Sequence, residues 1–345
     1  MNKIKIPVSQ SKVGDIIAKN LLDRRGITLV SKDIVINQYI IDMLTNIGID
    51  DVWIYPTVES EQDNPSNYEK VVKSYKETVL TVKEILMGLT SGGKLNHEKV
   101  ISLSKQLYGD FTDSIKLIKC LNDIKNVDEY TYTHCINVAF YAMLTAKWLN
   151  LSEENILEVI NAALLHDIGK VLIPIEILNK NGKLTEEEFS IMKNHSAIGY
   201  NVIKDLTEFS TLTKEAVLLH HERIDGKGYP YGLKGDAINL YAKIIGIADV
   251  FDAMTQDRVY KKGVNPFEAF KMFSNVGYEI FDVRILNIFL KNIVVNYIGL
   301  QVILDSGETG EIVYVPPYDI LNPIIFKGTA FIDLAISKKK IIGIG

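Results

Sequence analysis

The order His134, His166-Asp167, His195, His220-His221, Asp249 constrains this chain more than any other feature of it. A neutral imidazole nitrogen binds one divalent ion, and a carboxylate has two oxygens that can bridge two. Ligands that arrive from separate helices, each held by packing, are how helical metal sites are assembled. An isolated His-Asp pair is weak evidence. Five of the six histidines fall between positions 134 and 221, and that clustering makes the pair part of a ligand set for hard or borderline divalent metals. The remaining histidine, His97, is remote in sequence and reads as solvated surface.

The local sequence says how each ligand is carried. Asn161 to Leu165 is an apolar helical run and Pro174 follows soon after, so His166 and Asp167 sit at the C-terminal end of a buried helix. Gly169 then lets the chain turn away, and Lys170 brings a positive charge to the same place. A helix from Thr131 carries His134, and Ser152 caps the helix that delivers His166. Thr185-Glu186-Glu187-Glu188 is a capping box that opens a helix running to His195. Lys214 to His221 forms another helix. Asp225 to Gly235, with its four glycines and Pro230, is a loop. Leu240 to Met254 is helical and places Asp249 and Asp252 on nearly the same face.

A length of 345 residues suggests two or three domains, and 47% hydrophobic with 23% charged residues is an ordinary globular composition. The balance of 38 basic against 43 acidic residues argues against a binder of nucleic acid polymers. Cys120 and Cys135 are too few for a disulfide framework and suggest a reducing compartment. Met1 to Pro7 lacks the apolar run of a signal peptide. The apolar stretch Ile285 to Leu304 is interrupted by Asn287, Lys291, Asn292, Asn296 and Gln301, so it reads as a buried helix followed by a strand, not a bilayer span. The expectation is a cytoplasmic protein with no membrane partner.

Residues 1–56 read as a small α/β unit, with strands at Ile27–Val30 and Val52–Tyr55 around a helix that starts near Ser31 and ends at Gly48; Trp53 belongs to its core. Residues 57–67 are a polar linker, and 68–127 are helical. There Tyr68, Val72, Tyr75, Val79, Val82, Leu86 and Leu89 repeat every 3.5 residues on one seam. The plain reading is packing within the chain; the sharper one is a homodimer through the 68–89 helix. Residues 128–299 form an all-helical domain. Residues 300–345 form a β appendage with strands at Val302–Leu304, Ile312–Val315, Ile324–Phe326 and Phe331–Ala335. The fold class is therefore mainly α, flanked by a small α/β unit and a small β appendage.

Three stretches carry a family resemblance: His166-Asp167-Ile168-Gly169-Lys170, the run from His220 to Pro230, and Ile247-Ala248-Asp249-Val250-Phe251-Asp252-Ala253-Met254-Thr255. Between about Asp128 and Asn296 the chain resembles the HD-GYP family, a branch of the HD phosphohydrolases. The resemblance implies hydrolysis of cyclic di-GMP to pGpG, and in many members on to GMP, through a hydroxide bridging two metal ions; some members act on hybrid cyclic dinucleotides. It implies two divalent ions, Fe or Mn by family habit, with Zn also suited to imidazole and carboxylate. One ion would be held by His134, His166, Asp167 and Asp249, the other by Asp167, His195, His220 and His221. Lys170 would contact the scissile phosphate and protonate the leaving oxygen, and Asp167 with Lys170 would form the catalytic pair. Asp225, Gly226, Gly228, Tyr229, Pro230, Asp252, Arg258 and Lys261 would line the substrate. No sequence signature identifies a regulatory signal or a GGDEF-type partner.

Two alternatives stand beside this reading. One is a domain that binds cyclic di-GMP or a protein without turnover, which the full ligand set and Lys170 argue against. The other is an HD phosphohydrolase of another nucleotide phosphoester, which the Asp225–Pro230 loop argues against. One departure from the family is informative. Members with a third metal carry a Glu one helical turn before the first His ligand, and that position here is Tyr130. The expectation is two metal ions per chain with pGpG accumulating; an anomalous difference map with three metal peaks would refute it.

Overall fold

The computed structural model describes residues 3–55, 65–111, 114–124, 130–257 and 263–344. The chain divides into two compact units, Met1–Asn64 with Leu290–Gly345, and Pro65–Phe289. The first begins with β1 (Ile4–Pro7), β2 (Ile16–Ile17), β3 (Leu21–Leu22), β4 (Thr28–Val30), α1 (Gln38–Asn46) and β5 (Asp51–Tyr55). β5 is the central strand of an antiparallel sheet ordered β1-β5-β2, and β3 pairs with β4. Alternation along β5 buries Val52 and Ile54, while Trp53 is only half-buried.

α1 starts well downstream of Ser31. Its cap is Asn37, whose side chain accepts from the Ile40 amide at 3.0 Å. The reason is competition for backbone partners. Ile34 accepts from Ile17 at 2.9 Å and Ile36 donates to Asp15 at 2.7 Å, which draws the residues after Ser31 into strand-like pairing and delays the helix.

The second unit is helical: α2 (Pro65–Thr90), α3 (His97–Asp110), α4 (Ser114–Asp123), α5 (Tyr130–Trp148), α6 (Glu153–Leu165), α7 (Ile175–Leu178), α8 (Glu186–Lys193), α9 (His195–Ile203), α10 (Thr211–Leu219), α11 (Leu240–Thr255), α12 (Pro266–Met272), α13 (Tyr278–Ile280) and α14 (Val283–Ile293), the last running past the unit's end. Every residue of α5 from Thr133 to Ala146 is buried, as expected of a helix enclosed on all sides. It packs on α6 and α11, and α10 packs on α6, α9 and α11. Ser152 caps α6 and Thr185 closes a full capping box on α8. The seam on α2 faces inward. Tyr75, Val79, Val82, Leu86 and Leu89 are buried, and α2 packs on α3, α4 and α5. These five positions of the repeat are used inside this chain, as expected of a long amphipathic helix beside a helical core. No helix among the described residues is long and apolar enough to cross a membrane.

The chain then returns to the first unit with β6 (Gln301–Leu304), β7 (Thr309–Tyr314), β8 (Ile324–Lys327), β9 (Ala330–Asp333), α15 (Leu334–Ser337) and β10 (Ile341–Ile344). These strands make one antiparallel sheet ordered β10-β6-β7-β8-β9. The sequence reading kept residues 1–56 and 300–345 apart; the structure gives them one core. Val313, Tyr314 and Ile324 pack with Ile17, Ile36, Ile40, Leu44, Val52 and Ile54. Asn37 Nδ2 donates to the Val313 carbonyl at 2.6 Å, and the Tyr314 hydroxyl donates to the Leu29 carbonyl. Ile40→Ala, at a fully buried position, should cost this unit about 2–5 kcal/mol. Amide exchange should then quicken in both β1–β5 and β6–β10 while α5 and α11 keep their protection; faster exchange in the N-terminal segment alone would contradict a shared core.

Candidate metal centre

Three of the histidines sit where helices end. His166 follows α6, His220 follows α10, and His195 follows the single residue that separates α8 from α9. The last carbonyls of a helix lack their usual amide partner. Each ring uses one of them three residues back: His166 Nδ1 lies 2.7 Å from Ala163 O, His195 Nδ1 2.7 Å from Met192 O, and His220 Nδ1 2.9 Å from Val217 O. A carbonyl only accepts, so each Nδ1 carries the proton and each Nε2 is left with a bare lone pair. His134, inside α5, does the same with a carboxylate, its Nδ1 lying 2.7 Å from Asp252 Oδ2.

The four bare nitrogens converge on Asp167. His134 Nε2 and His166 Nε2 lie 3.5 and 3.3 Å from Asp167 Oδ2. His195 Nε2 and His220 Nε2 lie 3.3 and 3.9 Å from Oδ1. The two carboxylate oxygens thus face different halves of the cluster, giving one group of His134, His166 and Asp167 and another of Asp167, His195, His220 and His221. Asp249 stands beside both, 3.1 Å from His134 Nε2 and 3.8 Å from His221 Nδ1. Lys170 Nζ donates to Asp167 Oδ2 at the mouth of the site. The seven side chains named from sequence as ligands are therefore together, and Lys170 is with them.

Acceptor faces acceptor throughout this cluster. His195 Nε2 and His220 Nε2 are 3.3 Å apart with both protons committed elsewhere. His166 Nε2 and Asp167 Oδ1 are buried without a hydrogen-bond partner. Lone pairs and carboxylates gathered away from water are costly unless a cation lies among them. Imidazole and carboxylate donors suit divalent Fe, Mn or Zn, so the residues fit such ions.

The electrostatics agree. Burial opposes ionisation of Asp167, but its surroundings, the Lys170 ammonium among them, outweigh it and hold its carboxyl well below the usual range. Burial likewise opposes ionisation of Asp249, yet its carboxyl is held well below the usual range. Burial, with Lys170 in support, pushes His195 down. Burial and three neighbouring imidazoles push His220 well down, and burial takes His221 to about 3. These rings are neutral at physiological pH, the form that binds metal.

Gly169 and Gly228 are sterically required. A Cβ on Gly169 would lie 1.9 Å from the His195 carbonyl oxygen, so the turn Ile168–Leu172 presses directly on the start of α9 and sets His195 beside Asp167. A Cβ on Gly228 would lie 2.4 Å from Arg223 N and 2.6 Å from His221 O, which closes the Glu222–Gly235 loop on itself. That loop is pinned more than it is loose. Glu222 accepts from the amides of Tyr231 and Leu233 at 2.7 and 2.9 Å. Asp225, expected against substrate, is held by Arg223 at 2.6 Å and by the Lys227 amide at 3.0 Å. Gly226 and Pro230 belong to the same loop, which continues through a cis Tyr229–Pro230 peptide. The Tyr229 ring lies 4.6 Å from that of His221. Burial and the charges of Asp167 and Asp249 keep its phenol protonated.

Asp252, read from sequence as a substrate contact, is elsewhere. It is fully buried, with Oδ2 on His134 and Oδ1 accepting from Asn137 Nδ2 at 2.8 Å, so it stands behind a ligand. Its neighbour Asp249, three residues earlier on the same helix, instead faces His134 Nε2 and His221 Nδ1. Arg258 and Lys261 lie outside the described residues. His97 stands apart at the start of α3, 3.3 Å from Glu208. Sequence reasoning missed Asn137 and Glu222; the signal for Asn137 was an amide inside an otherwise apolar run one turn after His134. A cleft of about 480 Å³ adjoins the cluster, lined by His220, His221 and Tyr229 together with the cations Lys193, Arg223 and Lys227.

Comparison with known proteins is consistent with this geometry. The HD domain family model matches residues 98–285. A cyclic di-GMP phosphodiesterase of Pseudomonas aeruginosa is 39% identical over 200 residues, 58% of this chain and 48% of that protein. A cyclic di-GMP phosphodiesterase of Thermotoga maritima is 37% identical over 186 residues, 53% of this chain and 50% of that protein. The 3'3'-cGAMP-specific phosphodiesterase 3 of Vibrio cholerae is 42% identical over 132 residues, 38% of this chain and 28% of that protein. The chain spans about half the length of the first two of these relatives. Among solved structures, an HDG"Y"P protein of Bdellovibrio bacteriovorus is similar in fold, with a TM-score of 0.55 at 15% identity over 84% of this chain and 98% of that one.

The imidazole shifts set a pH dependence for the metal-free protein. His195, His220 and His221 protonate in the unfolded chain near 6.5 but only at lower pH when folded. The unfolded state therefore binds more protons below pH 6.5, and folding stability must fall as pH drops. The cost is at most about 1.4 kcal/mol per imidazole per pH unit, less for the partly exposed His221. Asp167 and Asp249, with lowered values, contribute only below about pH 4. Calorimetry of chelator-treated protein should show a Tm lower by roughly 5 °C at pH 5.5 than at pH 7.5; an unchanged Tm would contradict neutral buried rings.

Proposed function

The chain belongs to the HD domain family, and from that premise we propose that it is a metal-dependent phosphodiesterase that hydrolyses cyclic di-GMP to pGpG, acting in the cytoplasm. The observation that carries the proposal is the division of Asp167, one oxygen toward His134 and His166 and the other toward His195 and His220. His134, His166, Asp167 and Asp249 would hold one divalent ion, and Asp167, His195, His220 and His221 the other, with Fe or Mn preferred. Two such ions lower the pKa of water and offset charge on a phosphate.

The chain's own groups do the rest. Imidazole protons fixed on carbonyls hold the Nε2 atoms in place and spare the reaction the cost of arranging them. Lys170, about a quarter exposed and carrying its proton on Nζ beside Asp167, is placed to meet a phosphate oxygen and to give that proton to the leaving alkoxide. Lys193, Arg223 and Lys227 around the cleft favour a polyanion, and Tyr229 offers a ring face beside His221 for a sugar or base. Relatives named for cyclic di-GMP and for 3'3'-cGAMP support a cyclic dinucleotide as the substrate class. Substrate contacts from Gly226, Gly228 and Pro230, and from Arg258 and Lys261, remain part of the proposal.

The test is a timed assay on anaerobically purified protein with Fe(II) or Mn(II), offered cyclic di-GMP and 3'3'-cGAMP in parallel, with products separated by chromatography. The expected product is pGpG ahead of GMP, faster from cyclic di-GMP. Lys170→Ala should keep both ions and lose on the order of 10²-fold or more in rate. Binding without product would point to a non-catalytic module, and neither binding nor product would point to another phosphoester.

A further inference from the structure

His134 is the one ligand whose Nδ1 is fixed by a side chain, and that side chain does not stand alone. Asp252 Oδ1 accepts from Asn137 Nδ2 at 2.8 Å, and Asn137 Oδ1 accepts from the Tyr75 hydroxyl at 2.8 Å. All four residues are at least 97% buried. The chain of bonds crosses three helices, from α2 through α5 and α11 back to α5. We propose that Tyr75 is a positioning residue for the candidate metal centre: its hydroxyl fixes the Asn137 amide, which orients Asp252, which holds His134 in the Nδ1–H tautomer with Nε2 toward Asp167 and Asp249.

Each link has one allowed direction. The Tyr75 phenol stays protonated because burial, reinforced by Asp252, raises its pKa. It must donate, since Asn137 Nδ2 is already spent on Asp252 and only Oδ1 faces Tyr75. Were the Asn137 amide reversed, nitrogen would face the hydroxyl, oxygen would face the carboxylate, and Asp252 would lose its donor. The acceptor-only carboxylate selects the amide orientation, and the Tyr75 hydroxyl, donating to Oδ1, holds the amide in place. The Tyr75 ring is itself fixed, stacked on Phe140 at 6.2 Å, and Phe140 packs edge-on against Phe111 at 4.5 Å.

The placement of Tyr75 gives the relay a meaning beyond support. α2 lies ahead of the stretch matched by the HD domain family, which begins at residue 98. It also packs against the Ile168–Leu172 turn that carries Lys170. One helix outside the matched domain therefore touches the turn with Lys170 and, through three hydrogen bonds, the His134 ligand. A displacement of α2 that broke the Tyr75–Asn137 bond would loosen one half of the centre and leave His195 and His220, each tied to its own helix end, as they are.

The inference rests on His134 being a metal ligand, so the test reads metal alone. Apo protein is titrated with Mn(II) and followed by electron paramagnetic resonance, with Tm of the apo protein measured alongside. Wild type should bind two ions. Outer partners of metal ligands are typically worth 10–100-fold in affinity, and a partner two bonds further out should be worth on the order of threefold to tenfold. Tyr75→Phe should weaken one of the two sites by that factor, change the spectrum of that ion and leave the other unchanged. Phe140→Leu, a packing change in the same place, should lower Tm with both affinities kept. If Tyr75→Phe does not fold, Tyr75→Met removes the hydroxyl with a more adaptable side chain. If neither folds, ¹⁵N spectra of the wild-type apo histidines must still show His134 as the Nδ1–H tautomer. Equal weakening of both sites, unchanged affinities with a lowered Tm, or the other His134 tautomer would each overturn the relay. A wild type that binds no Mn(II) would overturn the metal reading and the relay together.

Discussion

The cluster depends on where four imidazole protons go. Ala163, Met192 and Val217 offer carbonyls that their helices cannot use, and Asp252 offers a carboxylate. Each takes the Nδ1 proton of one ring, so four Nε2 lone pairs meet two carboxylates in a buried space. Such a gathering opposes folding when no cation is present, because desolvated acceptors repel one another and find no donors. The surrounding helices must supply enough packing to hold it. α5, enclosed on all sides, and α11, with only a few residues toward solvent, are built for that task.

The helix-end arrangement also explains the reach of the site. A ring tied to the carbonyl three residues back points along its helix axis and past its end, so helices approaching from different directions can aim into one volume. Close contact at Gly169 brings two of those ends together, and the room left by the missing Cβ is what allows the turn after Asp167 to lie on α9. The neutral state of His195, His220 and His221 follows from the same burial that makes the cluster costly. Geometry and protonation are therefore one constraint.

Much of the candidate site was legible in sequence because its signals are local. His166-Asp167 at the end of an apolar run, the Thr185 capping box before His195 and the His220-His221 pair each report a helix terminus through neighbouring residues. What was not legible depends on partners far away in the chain. Asp252 looked like Asp249, and only the bonds to His134 and Asn137, more than a hundred positions earlier, place it behind a ligand. The α2 seam has the period of a dimer helix and the period of a helix packed at home, and sequence cannot say which core it meets. The union of residues 3–55 with 301–344 rests on Asn37, Leu29 and Tyr314, contacts of a kind that neither segment announces alone. Ile34 and Ile36 read as helix and fold as strand-like backbone because Asp15 and Ile17 compete for their hydrogen bonds.

Lys170 and Asp167 show how such a site can be both stable and reactive. In the protein alone the ammonium is the nearest full positive charge to the shared carboxylate, and it stabilises a charge that burial disfavours. Cations held by the imidazoles would take over that role, since a divalent charge at the same oxygens outweighs a monovalent one at similar distance. Lys170, about a quarter exposed, would then have a weaker claim on Asp167. The same ammonium that steadies the buried carboxylate is thus the group whose bonding would change most when a cation binds there.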